Sequence, residues 1–355
     1  MKCYTLFFAL LRDALWHTGQ DIPTSLSDKE GEGVLSLAKQ QTLSGLIIDA
    51  LFRHNVKISQ PLVFESIGLL ERIKQNNRLV NGGIARLNGL LAEQGVSYII
   101  VKGQVAATYY PDPLLRQAGD IDFYCDEYHF AKARKLINEE WGIDASAGGS
   151  DKHIEFSYKD VIYEGHFSLI SLYSKRNDCY WQKILNEDKG LVVNIDGVDV
   201  KTLSPTLHAL YIFLHLYHHL MELGVGLRQF CDWAMLLHAC QKDIDQKQLR
   251  LHLQGLGMEK AYRACGSILV DYMGLPEKEF GYQLTDNDRK YGKKILDVVF
   301  YRGNMGHYNK RNGFSGWKHK IEAIGIKTSH FFKFMSLAPS YSCHWLWHEF
   351  RRKVV

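Results

Sequence analysis

Apolar residues recur at roughly helical spacing through the first sixty positions and predict two or three short helices there. The stretch Met1 to Trp16 is apolar between Lys2 and Arg12, as in an amphipathic first helix, and Asp28-Lys29-Glu30-Gly31-Glu32-Gly33 predicts a polar break before the next. From Pro61 to Gln94 the positions Val63, Ile67, Leu70, Ile73, Leu79, Leu87, Leu90 and Leu91 keep one helix going. Gly95 is its stop signal, and Asn81-Gly82-Gly83 is a place for it to kink. The pattern then changes period. Val96 to Val101 is β-branched and almost wholly apolar, as in a strand covered on both faces, and ends at Lys102-Gly103.

A short helix over Gln104 to Tyr110 leads into a loop holding Pro111, Pro113 and Arg116, and Asp120 to Cys125 reads as a second strand. Glu127 to Trp141 has helical periodicity and stops at Gly142. Ile154 to Tyr158 and Val161 to Leu169 form a hairpin turning at Lys159-Asp160. Beyond Lys201 the strand signals fade. Ser204-Pro205, a cap followed by proline at the first helical position, opens a helix running to about Glu222, and the remainder is helical. The fold class is therefore α+β, with a small mixed sheet in a core over 61–202, an N-terminal helical region over 1–60 and a larger C-terminal one over 203–355.

Composition narrows the class without fixing it. At 355 residues and 46% hydrophobic, the chain is long enough to bury a core without cross-links. Its seven cysteines are scattered and odd in number, with no C-x-x-C pair, which argues against a disulfide framework or a thiolate zinc site and fits a reducing cytoplasm. The first apolar run is too short to span a bilayer, and no transmembrane segment is expected. A net charge of +4 does not by itself argue for nucleic acid. From Lys310 onward nine Lys or Arg stand against two Glu, among Trp317, Phe331, Phe332, Phe334, Trp345 and Trp347. That pattern suits either amphipathic helices with basic solvated faces or a nucleic-acid or membrane surface.

The acids carry the chemistry. Residues two apart on a strand share a face, so Asp120 and Asp122 place two carboxylates about 6 to 7 Å apart at the backbone. Hard divalent cations are held by one or two carboxylates plus substrate phosphates, and a third acid on a neighbouring strand completes a two-metal arrangement. Glu164 is the candidate, a charge inside an otherwise apolar strand, where it is costly unless paired or metal-bound; the structural alternative makes Asp120 a turn or cap residue and Glu164 a strand-edge acid. Spacing alone does not select this pair. Asp243-Ile244-Asp245 and Asp286-Asn287-Asp288 share it, but both sit in polar surroundings ahead of helical runs, where aspartate caps helices.

Taken together, Val101-Lys102-Gly103, Tyr109 to Pro113, Arg116, Asp120-Ile121-Asp122 and Tyr163-Glu164-Gly165-His166-Phe167 resemble the bacterial family of uncharacterised nucleotidyltransferases, within the superfamily that has the DNA polymerase β-like fold. Gly226-Leu227-Arg228 and Asp232 match a further helical segment of that family, so the resemblance runs from the N-terminal helices to about residue 240. It implies Asp120, Asp122 and Glu164 as catalytic ligands of Mg2+ or Mn2+. It implies a nucleoside triphosphate such as ATP as substrate, and transfer of its NMP group to an acceptor with release of pyrophosphate. The acceptor, whether small molecule, peptide or nucleic acid, is not implied. Where the wider superfamily has serine after the glycine, this chain has Gln104.

Each remaining residue has a chemical and a structural role open to it. Gly103 permits close approach of backbone to phosphate, or simply ends a strand; Lys102 adds charge beside it, or is solvated. Arg116 forks onto a phosphate, or holds its loop through one of the acids. His166, on the face of Glu164, serves as base or acceptor guide, or is a buried hydrogen-bonded histidine. Arg228 contacts nucleotide, or pairs with Asp232 one turn on, the expected default. His215 and His219, also one turn apart, are expected to be structural. The alternative to an enzyme is a non-catalytic nucleotide-binding or protein-interaction module, such as one half of a toxin–antitoxin pair.

Overall fold

The computed structural model describes residues 2–144, 153–222, 224–303 and 317–354. Three helices open the chain: α1 (Lys2–Trp16), α2 (Asp28–Gln40) and α3 (Ser44–Arg53). The expected polar break at Asp28 to Gly33 is instead the first turn and a half of α2. Ser27 and Glu30 form a capping box there, and Gly31 is buried, where a Cβ would come within 2.9 Å of Leu62. The break lies earlier, in residues 17–27. Next comes α4 (Gln60–Glu93), 34 residues long and unbroken through Asn81-Gly82-Gly83. Gly83 marks a contact, not a kink: a Cβ there would meet Ile121, Tyr163 and Val161 at 2.9–3.0 Å, so its absence lets the sheet lie directly on the helix.

The sheet follows. Strand β1 (Ile99–Val101) is shorter than the apolar run predicts, and α5 (Gly103–Ala107) and a single 3-10 turn at Pro113–Leu115 lead to β2 (Ile121–Tyr124). Helix α6 (Glu127–Trp141) is capped by Asp126, whose side chain accepts from the His129 amide at 2.8 Å, and ends at Gly142 in the left-handed conformation. The hairpin of β3 (His153–Tyr158) and β4 (Val161–His166) turns at Lys159-Asp160 as expected. The four strands run in the order β1-β2-β4-β3, with β2 and β4 parallel and the other pairs antiparallel. A second hairpin, β5 (Leu191–Ile195) and β6 (Val198–Thr202), follows α7 (Lys175–Asn186). It has no counterpart in the sequence reading, and four of the five residues of β5 keep contact with solvent, which weakens its apolar alternation.

Helices complete the chain: α8 (Pro205–Glu222), α9 (Leu227–Ala239), α10 (Gln246–Leu256), α11 (Glu259–Asp271), α12 (Glu277–Phe280), α13 (Asp286–Arg302), α14 (Trp317–Phe334) and α15 (Pro339–Val354). The two decoy acid pairs are caps. Asp245 accepts from the Gln248 amide at 2.9 Å, and Asp288 accepts from Thr285 in a capping box. The fold is thus predominantly helical around a small mixed sheet, and none of the seven cysteines is disulfide-bonded. No helix among the described residues is long and apolar enough to cross a membrane. In the C-terminal helices Phe331, Phe334 and Trp345 are buried and Phe332 and Trp347 exposed. Lys310, Arg311 and the side chain of Trp317 lie outside the described residues.

Strand parity decides what the sheet faces. Ile121 pairs with Tyr163 and Phe123 with Gly165, and these pack with Ile84 and Leu87 of α4 and Phe130 and Ala133 of α6 in one apolar cluster. Asp122 pairs with Glu164 on the opposite face, where α8 and α9 stand across a cleft. The apolar core that holds those two helices also contains α1 and α3, so both ends of the chain brace the polar side of the sheet.

Candidate metal and nucleotide site

The acid-bearing face opens into a cleft of about 320 Å³ between the sheet and helices α8 and α9. Asp122 lies within β2, and the register sets Glu164 directly beside it on parallel β4. Asp120 stands just before β2 on the same side. Carboxylate oxygens of the three acids lie within 4.8 Å of one another. Three negative charges this close repel unless something positive shares them. Burial, with Asp122 and Glu164 nearby, pushes the Asp120 carboxyl up to about 6. Asp122 goes the other way: burial raises its pKa, but the Lys102 ammonium at 3.0 Å and His166 at 3.2 Å outweigh this and hold it down at about 2. The neighbouring His166 imidazole likewise lowers Glu164. Burial opposes the charged form of His166 itself, yet the two carboxylates win and raise its pKa.

Lys102 caps α5 with a φ of +56°, a left-handed conformation costly for a residue with a Cβ, and Gly103 follows at +44°. The turn is tight because β1 ends against the start of β2. A Cβ on Gly103 would lie at ordinary contact distance, 3.5 Å, from the Asp120 carbonyl, so what calls for glycine here is the positive φ. Gln104, at the position of the superfamily serine, is buried and turned away, donating to Asn77 and Asn81 of α4. It does not line the cleft.

Neither arginine has the side-chain partner expected for it. Arg116 forks onto Asp232 of α9 through bonds of 2.7 and 2.8 Å, so Asp232 is not held by Arg228 one turn before it, and Arg116 is not held by one of the acids. Arg228 keeps one bond, from Nη1 to the Gln117 carbonyl at 2.9 Å, and its buried Nε has no partner among the described residues. Burial and the charge of Arg116 lower its pKa. A buried guanidinium lining the acid cleft with an unused donor is a ready partner for an anion.

His215 and His219 of α8, expected to be structural, also line the cleft. His215 Nε2 lies 3.0 Å from Lys102 Nζ and 3.1 Å from His219 Nε2, and burial with the nearby ammonium keeps His215 neutral. Their spacing places them on one helix face in the sequence, but which face meets the acids depends on contacts more than a hundred residues away. A larger cavity of about 800 Å³ beside α1 and α13, lined by Tyr4, Phe8 and Phe300 among others, shares no residue with the acid cleft.

Residues 27–274 match the family described as uncharacterised nucleotidyltransferase. The chain belongs to that family. The matched span contains all three acids, Lys102, Gly103, Arg116, His166 and Arg228. No curated protein matches the chain. Among solved structures, an antigenic nucleotidyltransferase-like protein from Paracoccidioides brasiliensis is similar at 12% identity, over 58% of this chain and 93% of its own, with a TM-score of 0.29, a likeness too weak to argue from.

Proposed function

We propose that the protein is a divalent-metal-dependent nucleotidyltransferase, moving the NMP group of a nucleoside triphosphate to an acceptor with release of pyrophosphate. The observation that carries this reading is the convergence of Asp122 and Glu164 on two parallel neighbouring strands with Asp120 just ahead of the first. The donor set fits Mg2+ or Mn2+: three hard carboxylate oxygens gathered within reach of one ion. A bound cation would neutralise charge developing on the reacting phosphate.

The chain's own residues do the rest. Gly103 leaves room for phosphate beside the acids, and Arg228 offers its free donor to a phosphate oxygen. Lys102 shares the Asp122 carboxylate, and with Asp122 holding a cation its ammonium would be available to the triphosphate. Arg116, also on the cleft wall, contributes by fixing the loop that presents Asp120. His215 and His219, neutral and on the cleft wall opposite the sheet, border the space that an acceptor would enter.

Protein incubated with Mg2+, each of the four triphosphates and a panel of hydroxyl and amine acceptors is expected to release pyrophosphate, and the Asp120→Asn, Asp122→Asn double variant to release none. Release that survives the double change would sink the reading.

A further inference from the structure

Among the described residues a second cluster brings metal-ligating atoms within 4.8 Å of one another: His153, Glu164 and His166. His153 opens β3 as the register partner of His166 on β4. Residues directly opposite on antiparallel strands share a face, so both rings stand on the acid-bearing side of the sheet beside Glu164. The rings stack, with centroids 4.9 Å apart and planes at 28°. Each Nε2 lies 3.6 Å from the same oxygen, Glu164 Oε2. That is long for a hydrogen bond. It is close to the edge of a coordination tetrahedron, because ligands about 2.0 to 2.2 Å from a zinc ion stand about 3.4 Å apart.

We propose that His153, Glu164 and His166 form a second metal site, selective for a borderline divalent ion of the Zn2+ class and joined to the acid triad through Glu164. Two imidazoles and one carboxylate are the donors such ions prefer, whereas Mg2+ takes oxygen ligands and keeps its waters. Neutral imidazole is the ligating form, so metal binding competes with the 3.2 Å contact between His166 and Asp122. Side-chain exposures of 34%, 27% and 18% for His153, Glu164 and His166 give an ion a path in from solvent while leaving an open coordination position. The other histidine pair does not compete. His215 Nε2 is already engaged by Lys102 and His219, and no described carboxylate completes a cluster with His215 and His219. The inference stands on the histidines and does not require nucleotidyl transfer.

The test is a titration of the full-length, chelator-stripped protein with Co2+ as a coloured stand-in for Zn2+, in excess Mg2+. One equivalent is expected to bind with the intense visible absorption of a low-symmetry site and to be displaced by Zn2+. His153→Ala and His166→Ala should each weaken binding about tenfold or more, while Asp120→Asn and His215→Gln leave it within about threefold. X-ray absorption of the zinc-loaded wild-type protein should show two imidazole ligands, a reading independent of any variant's folding. No cobalt binding, binding unchanged in His153→Ala, loss in Asp120→Asn alone, or fewer than two imidazoles around zinc would each overturn the proposal.

Discussion

Arg116 and Asp232, 116 residues apart in the chain, form a bidentate ion pair buried beneath the acid cleft. The Tyr110 hydroxyl donates to the same carboxylate at 2.8 Å, so the loop ahead of β2 is tied to α9 at one point. Removing the guanidinium leaves a buried carboxylate without its counter-ion. Arg116→Ala is expected to cost about 3 to 5 kcal/mol of stability in urea denaturation, and Arg116→Lys to recover only part, because an ammonium cannot fork. A fully stable Arg116→Ala protein would show that the loop is held by something else.

Arg228 should behave in the opposite way. Its Nε is buried, no described carboxylate is in ion-pair contact with it, and the Gln117 carbonyl it reaches also accepts from Arg116, so no described acceptor is orphaned by its loss. Arg228→Ala is expected to change stability by less than about 1 kcal/mol, or to raise it, while weakening triphosphate binding about tenfold or more. Equal losses in melting and in calorimetric binding would make Arg228 a structural residue.

Gly165 lies on β4 one residue past Glu164, where a Cβ would come within 2.6 Å of the Phe123 ring and 2.8 Å of Ile154. These are core contacts with little room to give. Gly165→Ala should push β4 from β2, costing about 1 to 3 kcal/mol by overpacking and disturbing the Asp122–Glu164 register. A Phe123→Leu change in the same chain, which opens the space, should return part of both stability and metal affinity. If Gly165→Ala is as stable as the wild type, the packing here is looser than the structure shows.

Two buried histidines predict the acid response of the fold. His208 is fully buried, with neither ring nitrogen partnered among the described residues, and burial lowers its pKa to about 4. His330 is held at about 4 by burial and by Arg302 and Lys333. Both titrate near 6.5 once unfolded, so between pH 6.5 and 4 the unfolded chain binds more protons than the folded one. Their stabilising contribution is therefore full above pH 6.5 and lost as the pH falls towards 4. Each histidine contributes a slope of up to about 1.4 kcal/mol per pH unit. Urea midpoints measured across this window should fall with acidification, and His208→Leu should flatten the fall. A slope unchanged by His208→Leu would rule that residue out as its source.

What the sequence made legible was local. The Gly103 strand end, the Asp120-Ile121-Asp122 segment, the β3–β4 hairpin and the proline-opened α8 each sit on a short-range pattern, and their positions in the structure agree. Gly31 and Gly83 were misleading because glycine is a breaker by conformation, whereas here it is a helical residue that admits a neighbour, Leu62 or the sheet. The arginine partners were not legible. An i, i+4 pair such as Arg228 and Asp232 is visible in a sequence, but a loop arginine reaching Asp232 from 116 residues away leaves no spacing to read. The same holds for His215 and His219, whose role depends on which face of α8 meets the sheet. His153 was missed as a partner of His166 because cross-strand register appears only once the hairpin is built.

The central claim is that the three acids gather a divalent cation and a triphosphate. Calorimetric binding of each nucleoside triphosphate to the wild-type protein and to the Asp120→Asn, Asp122→Asn double variant, in Mg2+ and in EDTA, tests it most directly. At least one triphosphate should bind the wild type in Mg2+ and lose about a hundredfold or more in affinity both on chelation and in the double variant. Triphosphate binding that is equally tight in EDTA, or equally tight without the two aspartates, would contradict it.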